Sequence, residues 1–165
     1  VPVDEMVTDA IAKARDLHPG NTTQVIVELP PNMPPLAVDP THAPRAVGVM
    51  VGHAVDVSAG TPGRAVRIRG VSALGATTAQ LHIEYFTPSG RPSLLEQQFE
   101  GRIPTSSGRG MVLRLSLARA VVELHGGSVR VTRGPQGAAI VTCTLPVLTP
   151  ESGPETARFT PFRHG

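Results

Sequence analysis

Stretches of helical and of strand-like periodicity alternate along this chain, and that order restricts its possible folds most strongly. Three segments have the helical pattern, namely residues 4–17, 39–58 and 113–124. Five have the strand pattern, namely residues 24–29, 64–71, 81–86, 128–133 and 138–145. The second and third strand segments, and the last two, follow one another closely enough to predict hairpins. Helices interleaved with paired strands predict an α/β (α+β) fold, a two-layer sandwich whose mixed, mostly antiparallel sheet is covered on one face by about three helices.

Three further details of the helices are predicted. Asp39-Pro40 resembles an N-cap followed by proline at the first helical position, but Pro44 has no N–H for the Pro40 carbonyl, so that helix starts late or kinks. The segment 113–124 is apolar nearly all round, which predicts a helix covered on more than one side. Gly126-Gly127 then predicts a left-handed cap.

Length and composition indicate one globular domain. The chain has 165 residues, of which 40% are hydrophobic and 17% charged, and we expect residues 1–147 to form the domain. We expect a short helix at 93–99, a mobile loop at 100–110, and a linker or disordered tail at 148–165, which is rich in Pro, Ser and Glu. Cys143 is the only cysteine and its surroundings are strand-like, so we expect an inert buried thiol and a cytoplasmic protein.

Several classes of function are disfavoured by composition. The net charge is only +2 and aromatic residues make up 3% of the chain, which leaves little with which to bind nucleic acid. No apolar stretch approaches the roughly 20 residues that span a bilayer, so no membrane contact is expected. The six histidines lack metal-ligand spacing on one element, so we predict no metal site.

Residues 113–146 read LRLSLARAVVELHGGSVRVTRGPQGAAIVTCTLP, which resembles the end of the ATP-binding domain of bacterial sensor histidine kinases, a GHKL (HATPase_c) domain with the Bergerat fold. In that family a glycine-rich box leads into a helix ending in ELHGG, and a strand, a glycine turn and a last strand ending in TLP follow. Upstream, residues 3–15, 25–40 and 39–58 fall where the family has its first helix, first inner strand and N-box helix. The resemblance covers roughly residues 2–147.

The resemblance implies a nucleotide site with a Mg²⁺ ligand, and this chain departs from it there. The family's ligand is an asparagine in the middle of the N-box helix. His53 occupies that position, and Val49 replaces the asparagine one turn earlier. Histidine is a poor ligand for a hard, oxygen-seeking ion.

The adenine-binding box also departs from the family. Where the family has D-x-G-x-G, with an aspartate that reads adenine, this chain has Phe86-Thr87-Pro88-Ser89-Gly90. No carboxylate is present, Phe86 or Thr87 takes the place of the aspartate, and only Gly90 remains of the glycines.

The phosphate-binding box has lost most of its glycines. The family's G-x-G-x-G maps to Gly110-Met111-Val112-Leu113-Arg114, so Val112 and Arg114 place side chains where backbone should meet phosphate. We count Gly137, in the turn before the last strand, with these degenerate positions.

Three altered boxes predict a degenerate, pseudokinase-like domain with no catalytic residues, no ATP binding and no cofactor. Such a domain would serve as a protein-binding or regulatory module in two-component-type signalling. Two alternatives stay open. One is the divergent catalytic domain of an active histidine kinase, which would bind ATP and Mg²⁺ through substitutes such as His53 and Arg114. The other is the ATPase-like part of a histidine phosphotransferase, although the helical hairpin with its phosphoacceptor histidine is not in this chain.

Basic residues in and after the predicted loop suggest where a partner binds. They are Arg102, Arg109, Arg114 and Arg119. We expect them to meet an acidic surface on a receiver domain or on another kinase-type signalling protein. The other interpretations are solvated arginines around a loop and, for Arg114, a contact with phosphate.

Overall fold

The structure is a computed structural model that describes residues 1–59, 63–73, 75–87, 109–134 and 137–148, with only the backbone described at 109–112. The helices are α1 (Val3–Leu17), α2 (His42–Ser58) and α3 (Arg109–Leu124). The strands are β1 (Val25–Glu28), β2 (Val66–Ser72), β3 (Thr78–Phe86), β4 (Ser128–Arg133) and β5 (Ala138–Pro146). The predicted helix at 93–99, residues 100–108 of the predicted loop and the tail from residue 149 lie outside the described residues. Residues 109 and 110 were predicted to belong to that loop, but they are the first residues of α3, which begins four residues earlier than its apolar pattern indicates.

One sheet of five strands runs in the order β1-β2-β3-β5-β4. β1 is parallel to β2, and every other neighbouring pair is antiparallel, which confirms the predicted β2–β3 and β4–β5 hairpins. Burial alternates along β2, β3 and β5, as expected when helices cover only one face. On the other face, Arg67 lies 3.4 Å from the Glu28 carboxylate and 4.0 Å from that of Glu84. The predicted two-layer sandwich is confirmed.

Helix α2 lies at the centre of the helical layer, because it packs against α1, α3 and β3. Its core side chains include Val47, Met50, Val51 and Ala54, all at most 1% exposed. In the described part of the chain, no helix is both long enough and apolar enough to cross a membrane.

The start of α2 corrects one prediction. The helix begins at His42, so Asp39-Pro40 is not its cap pair. The Asp39 carboxylate instead accepts a hydrogen bond from the Thr41 N–H at 2.9 Å, in a turn that precedes the helix. Pro44 therefore falls in the first turn, where a missing N–H costs no intrahelical bond. The late start, one of the two outcomes expected from the sequence, is the one observed.

Helix α3 corrects a second prediction, because it is covered on one side only. Leu115, Ala118 and Val122 are at most 3% exposed. Leu113 and Leu117 are 61% and 64% exposed, and Leu124 is 85% exposed. Apolar residues on all sides of α3 therefore do not indicate that all sides are buried, since the side of α3 away from the core faces outward from the sandwich.

Two glycines end α3, each for a different reason. Gly126 has φ of +83°, the left-handed conformation that the sequence predicts. The Gly127 N–H donates to the Val122 carbonyl at 3.0 Å and the Gly126 N–H to the Glu123 carbonyl at 2.9 Å, a Schellman motif. At Gly127, a Cβ would lie only 2.1 Å from the Thr144 carbonyl oxygen. Gly127 therefore lets the chain leave α3 directly against β5.

The single cysteine is buried as the sequence predicts. Cys143 is 0% exposed and lies on the covered face of β5. Burial raises the pKa of its thiol to about 12, so the thiolate is scarce at neutral pH. Cys143 is therefore an unreactive core residue.

Val122 tests the placement of α3 on the core. It is 1% exposed, and Val122→Ala should lower the free energy of unfolding by about 1–3 kcal/mol through the lost methyl groups and the space they leave. Val121→Ala, at the half-buried neighbouring position, is the matched control and should cost less. Equal thermal or urea unfolding of both variants would contradict this packing.

Candidate functional site

The candidate site lies where α2 passes over the end of β3. The ring of His53 on α2 packs edge-on against Tyr85 of β3, with ring centroids 6.0 Å apart and an interplanar angle of 79°. Where α2 ends, the Ser58 hydroxyl accepts a hydrogen bond from the Phe86 N–H at 3.5 Å. The structure therefore places His53 and Ser58 of α2 beside the last residues of β3.

His53 is a buried and neutral histidine. Its side chain is 2% exposed, and neither Nδ1 nor Nε2 has a hydrogen-bond partner among the described residues. Burial, with a smaller repulsive contribution from His18, lowers the pKa of His53 from 6.5 to about 4. At neutral pH the ring therefore carries one N–H donor, one acceptor nitrogen and no charge.

Strand alternation decides which adenine-box residue faces the helices. Phe86 lies on the uncovered face of β3, where the Arg64 guanidinium is 4.4 Å from its ring centroid. Thr87 follows on the covered side, is 7% exposed, and its Oγ1 has no hydrogen-bond partner among the described residues. Of the two residues, Thr87 is therefore the one whose side chain lies on the helix-covered side. Gly90 lies outside the described residues.

Gly137 lies at the same end of the sheet as Phe86 and Thr87. Phe86 pairs with Ala138 across β3 and β5, so Gly137 comes opposite Thr87 one position further on. It has φ of +78°, and its carbonyl accepts a hydrogen bond from Arg133 at 3.2 Å. Its observed role is that of a turn residue.

Residues 110–114, which the resemblance aligns with the family's glycine box, lie at the beginning of α3. Gly110 and Val112 lie in the first turn of the helix, and nothing of their side-chain surroundings is described. Arg114, at the last position of the box, is exposed. Helix α3 therefore begins with only one of the three family glycines in its first two turns.

Val49 completes the set of predicted positions. It lies one turn before His53 on α2 and is half-buried against the core. Its methyl groups offer no atom to a metal ion.

These side chains do not fit a Mg²⁺-nucleotide bound as in the family. Mg²⁺ takes oxygen ligands in octahedral geometry, whereas His53 offers a neutral nitrogen and Val49 offers nothing. The adenine position offers the Thr87 hydroxyl in place of a carboxylate. Within the described ranges, no three His, Cys, Asp or Glu side chains converge on a point where they could hold a metal ion.

His125 lies at the other end of α2, beside the segment that precedes this helix, and is held by two hydrogen bonds. Its Nδ1 lies 2.7 Å from the Val121 carbonyl oxygen, and the Asp39 N–H donates to its Nε2 at 3.1 Å. Because Asp39 N–H is a donor, Nε2 is the acceptor and Nδ1 carries the proton. The residue connects the end of α3 to the segment before α2.

The four predicted partner-binding arginines are only partly described. Arg102 lies outside the described residues, and the side chain of Arg109 is not described. Arg114 is exposed, and Arg119 Nε lies 3.2 Å from the Glu123 carboxylate. Arg119 follows Arg114 by five positions, so the two side chains project from different sides of α3.

Sequence reasoning missed Tyr85 and Ser58 as parts of the site. Tyr85 is 0% exposed under His53, and Ser58 is 1% exposed beside Phe86. Tyr85 could have been found from the alternation of inward and outward side chains along β3, because Tyr85 lies on the same covered face as Ile83. No sequence pattern singles out Ser58.

Comparison with protein families assigns the class. A sequence model of the histidine kinase-, DNA gyrase B- and HSP90-like ATPases matches residues 38–149. This chain belongs to that family. A search of curated proteins found no match.

Solved structures agree with the fold. The catalytic domain of the histidine kinase ThkA superposes with a TM-score of 0.70 at 16% identity, covering 93% of this chain and 97% of that one. The mycobacterial sensor histidine kinase MprB gives 0.63 at 23% identity, covering 89% and 95%. The ATP-binding domain of PrrB from Mycobacterium tuberculosis gives 0.60 at 23% identity, covering 90% and 96%. At these identities the likeness confirms the histidine-kinase ATPase fold predicted from the sequence.

Proposed function

We propose that this chain is a degenerate histidine-kinase ATPase-like domain that does not bind Mg-ATP and acts as a protein-binding or regulatory module in two-component-type signalling. The observation that carries the proposal is His53. It occupies the metal-ligand position as a buried, neutral ring packed on Tyr85. We place the domain in the cytoplasm, where such signalling takes place.

His53 cannot compensate for the missing metal by its own charge. A protonated histidine could pair with phosphate, but burial keeps the pKa of this one near 4. The triphosphate would therefore keep more of its negative charge than in a site with a metal ion. Val49 adds only apolar surface to the same face of α2.

At the adenine end of the site, a second favourable interaction with the nucleotide is lost. A hydroxyl at Thr87 replaces the carboxylate that accepts a hydrogen bond from the adenine amino group in the family. A neutral hydroxyl is a weaker acceptor than a carboxylate, because a hydrogen bond to a charged group contributes about 1.5–3 kcal/mol and one between neutral groups about 0.5–1.5 kcal/mol. Two losses of about 1.4 kcal/mol each would weaken a micromolar site about 100-fold, since each 1.4 kcal/mol is about tenfold.

Isothermal titration with ATP and Mg²⁺ tests the proposal. We expect no saturable binding at low micromolar ATP. Arg114→Gly, which restores one glycine of the phosphate box, should not rescue binding, because the changes at His53 and Thr87 remain.

The matched positive control is a family member that keeps the asparagine, the aspartate and the glycines, titrated under the same conditions. Saturable binding of ATP by this chain at low micromolar concentration would overturn the proposal and favour a divergent, active kinase domain. Binding restored by Arg114→Gly alone would show that the phosphate box is the only defect.

The module needs a surface for its partner, and we place it on α3. That helix carries three arginines and one glutamate, and it begins where the four predicted basic residues cluster in the sequence. A receiver domain or another kinase-type signalling protein with an acidic surface would complement this charge.

A further inference from the structure

A polar cavity lies beside the end of α2, between the segment that joins α1 to β1 and the segment that leads into β2. Its volume is about 460 Å³, and cavities of roughly 300–1,000 Å³ are typical of small-molecule sites. Its walls include Asn21, Thr22 and Gln24 from the first segment and Arg64 from the second. Among the described residues that line it, none is acidic and none has an apolar side chain larger than that of alanine.

We propose that this cavity, which we call the Arg64 pocket, binds a small phosphorylated sugar. Arg64 holds the phosphate, and the polar side chains of residues 21–24 bind the sugar hydroxyls. The Arg64 pocket is separate from the degenerate nucleotide site, since neither His53 nor Thr87 lines it. The inference goes beyond the proposed function and does not depend on whether ATP binds.

Arg64 supplies the positive charge. Its guanidinium carbon lies 4.4 Å from the centroid of the Phe86 ring, a cation–π contact that restricts the side chain. Arg67 and Arg69 both pair with Glu28, but within the described ranges Arg64 has no carboxylate partner. Its N–H groups are therefore available to a phosphate, which a guanidinium binds in bidentate geometry.

Hydrogen bonds fix the wall that residues 21–24 form. Arg15 of α1 donates to the Thr23 carbonyl at 2.8 Å and to the Asn21 carbonyl at 3.3 Å. Asn21 Nδ2 and Thr23 Oγ1 both donate to the Val55 carbonyl of α2, at 3.2 and 3.3 Å. The wall is attached to both helices before a ligand arrives, and such preorganisation lowers the entropic cost of binding.

Two polar side chains of this wall are not used by the fold. Thr22 and Gln24 are exposed, and neither side chain makes a hydrogen bond to the described residues. A hydroxyl and an amide can each both donate to and accept from the hydroxyl groups of a sugar. A nucleobase or an acyl chain would instead need aromatic or large aliphatic contacts, which the described lining does not offer.

The Arg64 pocket adjoins the end of β3. Arg64 stacks on Phe86, and Ser58, which also lines the pocket, accepts a hydrogen bond from the Phe86 N–H at 3.5 Å. A bound ligand would therefore fix Phe86 relative to α2. Because a ligand that binds only the folded chain stabilises it by mass action, the melting temperature should rise with the concentration of the ligand.

Three probes test the proposal by isothermal titration into the full chain without Mg²⁺, namely glucose 6-phosphate, glucose and inorganic phosphate. We expect glucose 6-phosphate to bind about tenfold more tightly than either of the others, because only it engages both parts of the pocket. Added salt should weaken its binding. Backbone amide chemical shifts should change at residues 20–24 and 63–65, which line the pocket.

Variants locate the contact. Arg64→Gln should weaken the binding of glucose 6-phosphate about tenfold or more, through loss of the charged hydrogen bonds. Arg130→Gln removes the same charge from an exposed arginine of β4 outside the pocket, so it is the matched control and should bind like the parent. Thr22→Val should weaken binding about threefold. Circular dichroism of each variant establishes that it is folded.

Other results would overturn the inference. No saturable binding of glucose 6-phosphate up to about 10 mM would exclude the site, and equal affinity for inorganic phosphate would exclude the sugar. Equal losses for Arg64→Gln and Arg130→Gln would show that net charge alone attracts the ligand. If ATP binds at low micromolar concentration while Arg64→Gln still loses glucose 6-phosphate, the proposed loss of nucleotide binding fails and the Arg64 pocket stands.

Discussion

The free energy of unfolding should fall by about 3 kcal/mol between pH 6.5 and pH 4 on account of His53 alone, at about 1.4 kcal/mol per pKa unit. In the unfolded chain this histidine takes up a proton near its ordinary pKa of 6.5, whereas burial delays protonation in the folded protein to about 4. Between these values the unfolded state binds more protons. Stability is therefore complete above pH 6.5 and is lost as the pH falls through this window.

Urea unfolding across this pH range, in parent and variant, measures the effect. His53→Phe keeps an aromatic ring beside Tyr85 but has no titratable nitrogen. Carboxylates contribute equally to both curves, so the difference between the curves isolates His53. We expect the variant to lose about 3 kcal/mol less than the parent between pH 6.5 and 4. Parallel curves would show that His53 is not held neutral in the folded protein.

Gly127→Ala should be strongly destabilising, by about 3 kcal/mol or more, as when a side chain is forced into a packed interior. The added Cβ would lie 2.1 Å from the Thr144 carbonyl oxygen and 3.1 Å from Val122 Cγ1. Both neighbours belong to fixed elements, so relief requires that α3 move away from β5. For a domain of this size the melting temperature should fall by about 6–12 °C.

Gly126 is the matched control for Gly127. The two residues are adjacent, but the backbone conformation favours glycine at Gly126, whereas lack of space excludes a side chain at Gly127. A Cβ there meets nothing within 4 Å, and only φ of +83° disfavours a side chain. Gly126→Ala should therefore cost about 1–2 kcal/mol. Gly126→Asn should cost less, since asparagine tolerates the left-handed conformation. If Gly126→Ala is as harmful as Gly127→Ala, then conformation and not contact with β5 limits both positions.

Much of the fold could be predicted because periodicity and turn chemistry agree with the tertiary structure. The β2–β3 and β4–β5 hairpins follow from alternating side chains with short turns between them. The cap at Gly126 follows from glycine after an apolar helix. In each case the local preference of the chain and its packing lead to the same conformation, so the local signal is sufficient.

The errors and omissions occur where burial depends on distant parts of the chain. Leu117 is apolar, yet whether it is covered depends on what packs outside α3, which its own segment does not encode. His53 could be placed on α2 from the sequence, but its burial and depressed pKa arise from the surrounding layers. Which of Phe86 and Thr87 lies on the helix-covered side depends on the position of β3 within the sheet.

Helix α3 is fixed along its length and so links two separate parts of the domain rigidly. His125 connects its C-terminal end to Asp39, and Gly127 holds the same end against β5. Arg109 begins the helix about 22 Å away, at 1.5 Å per residue, and the buried Leu115 holds the intervening length on the core. Any displacement of Arg109 relative to Asp39 therefore requires the packing of α3 on the core to change.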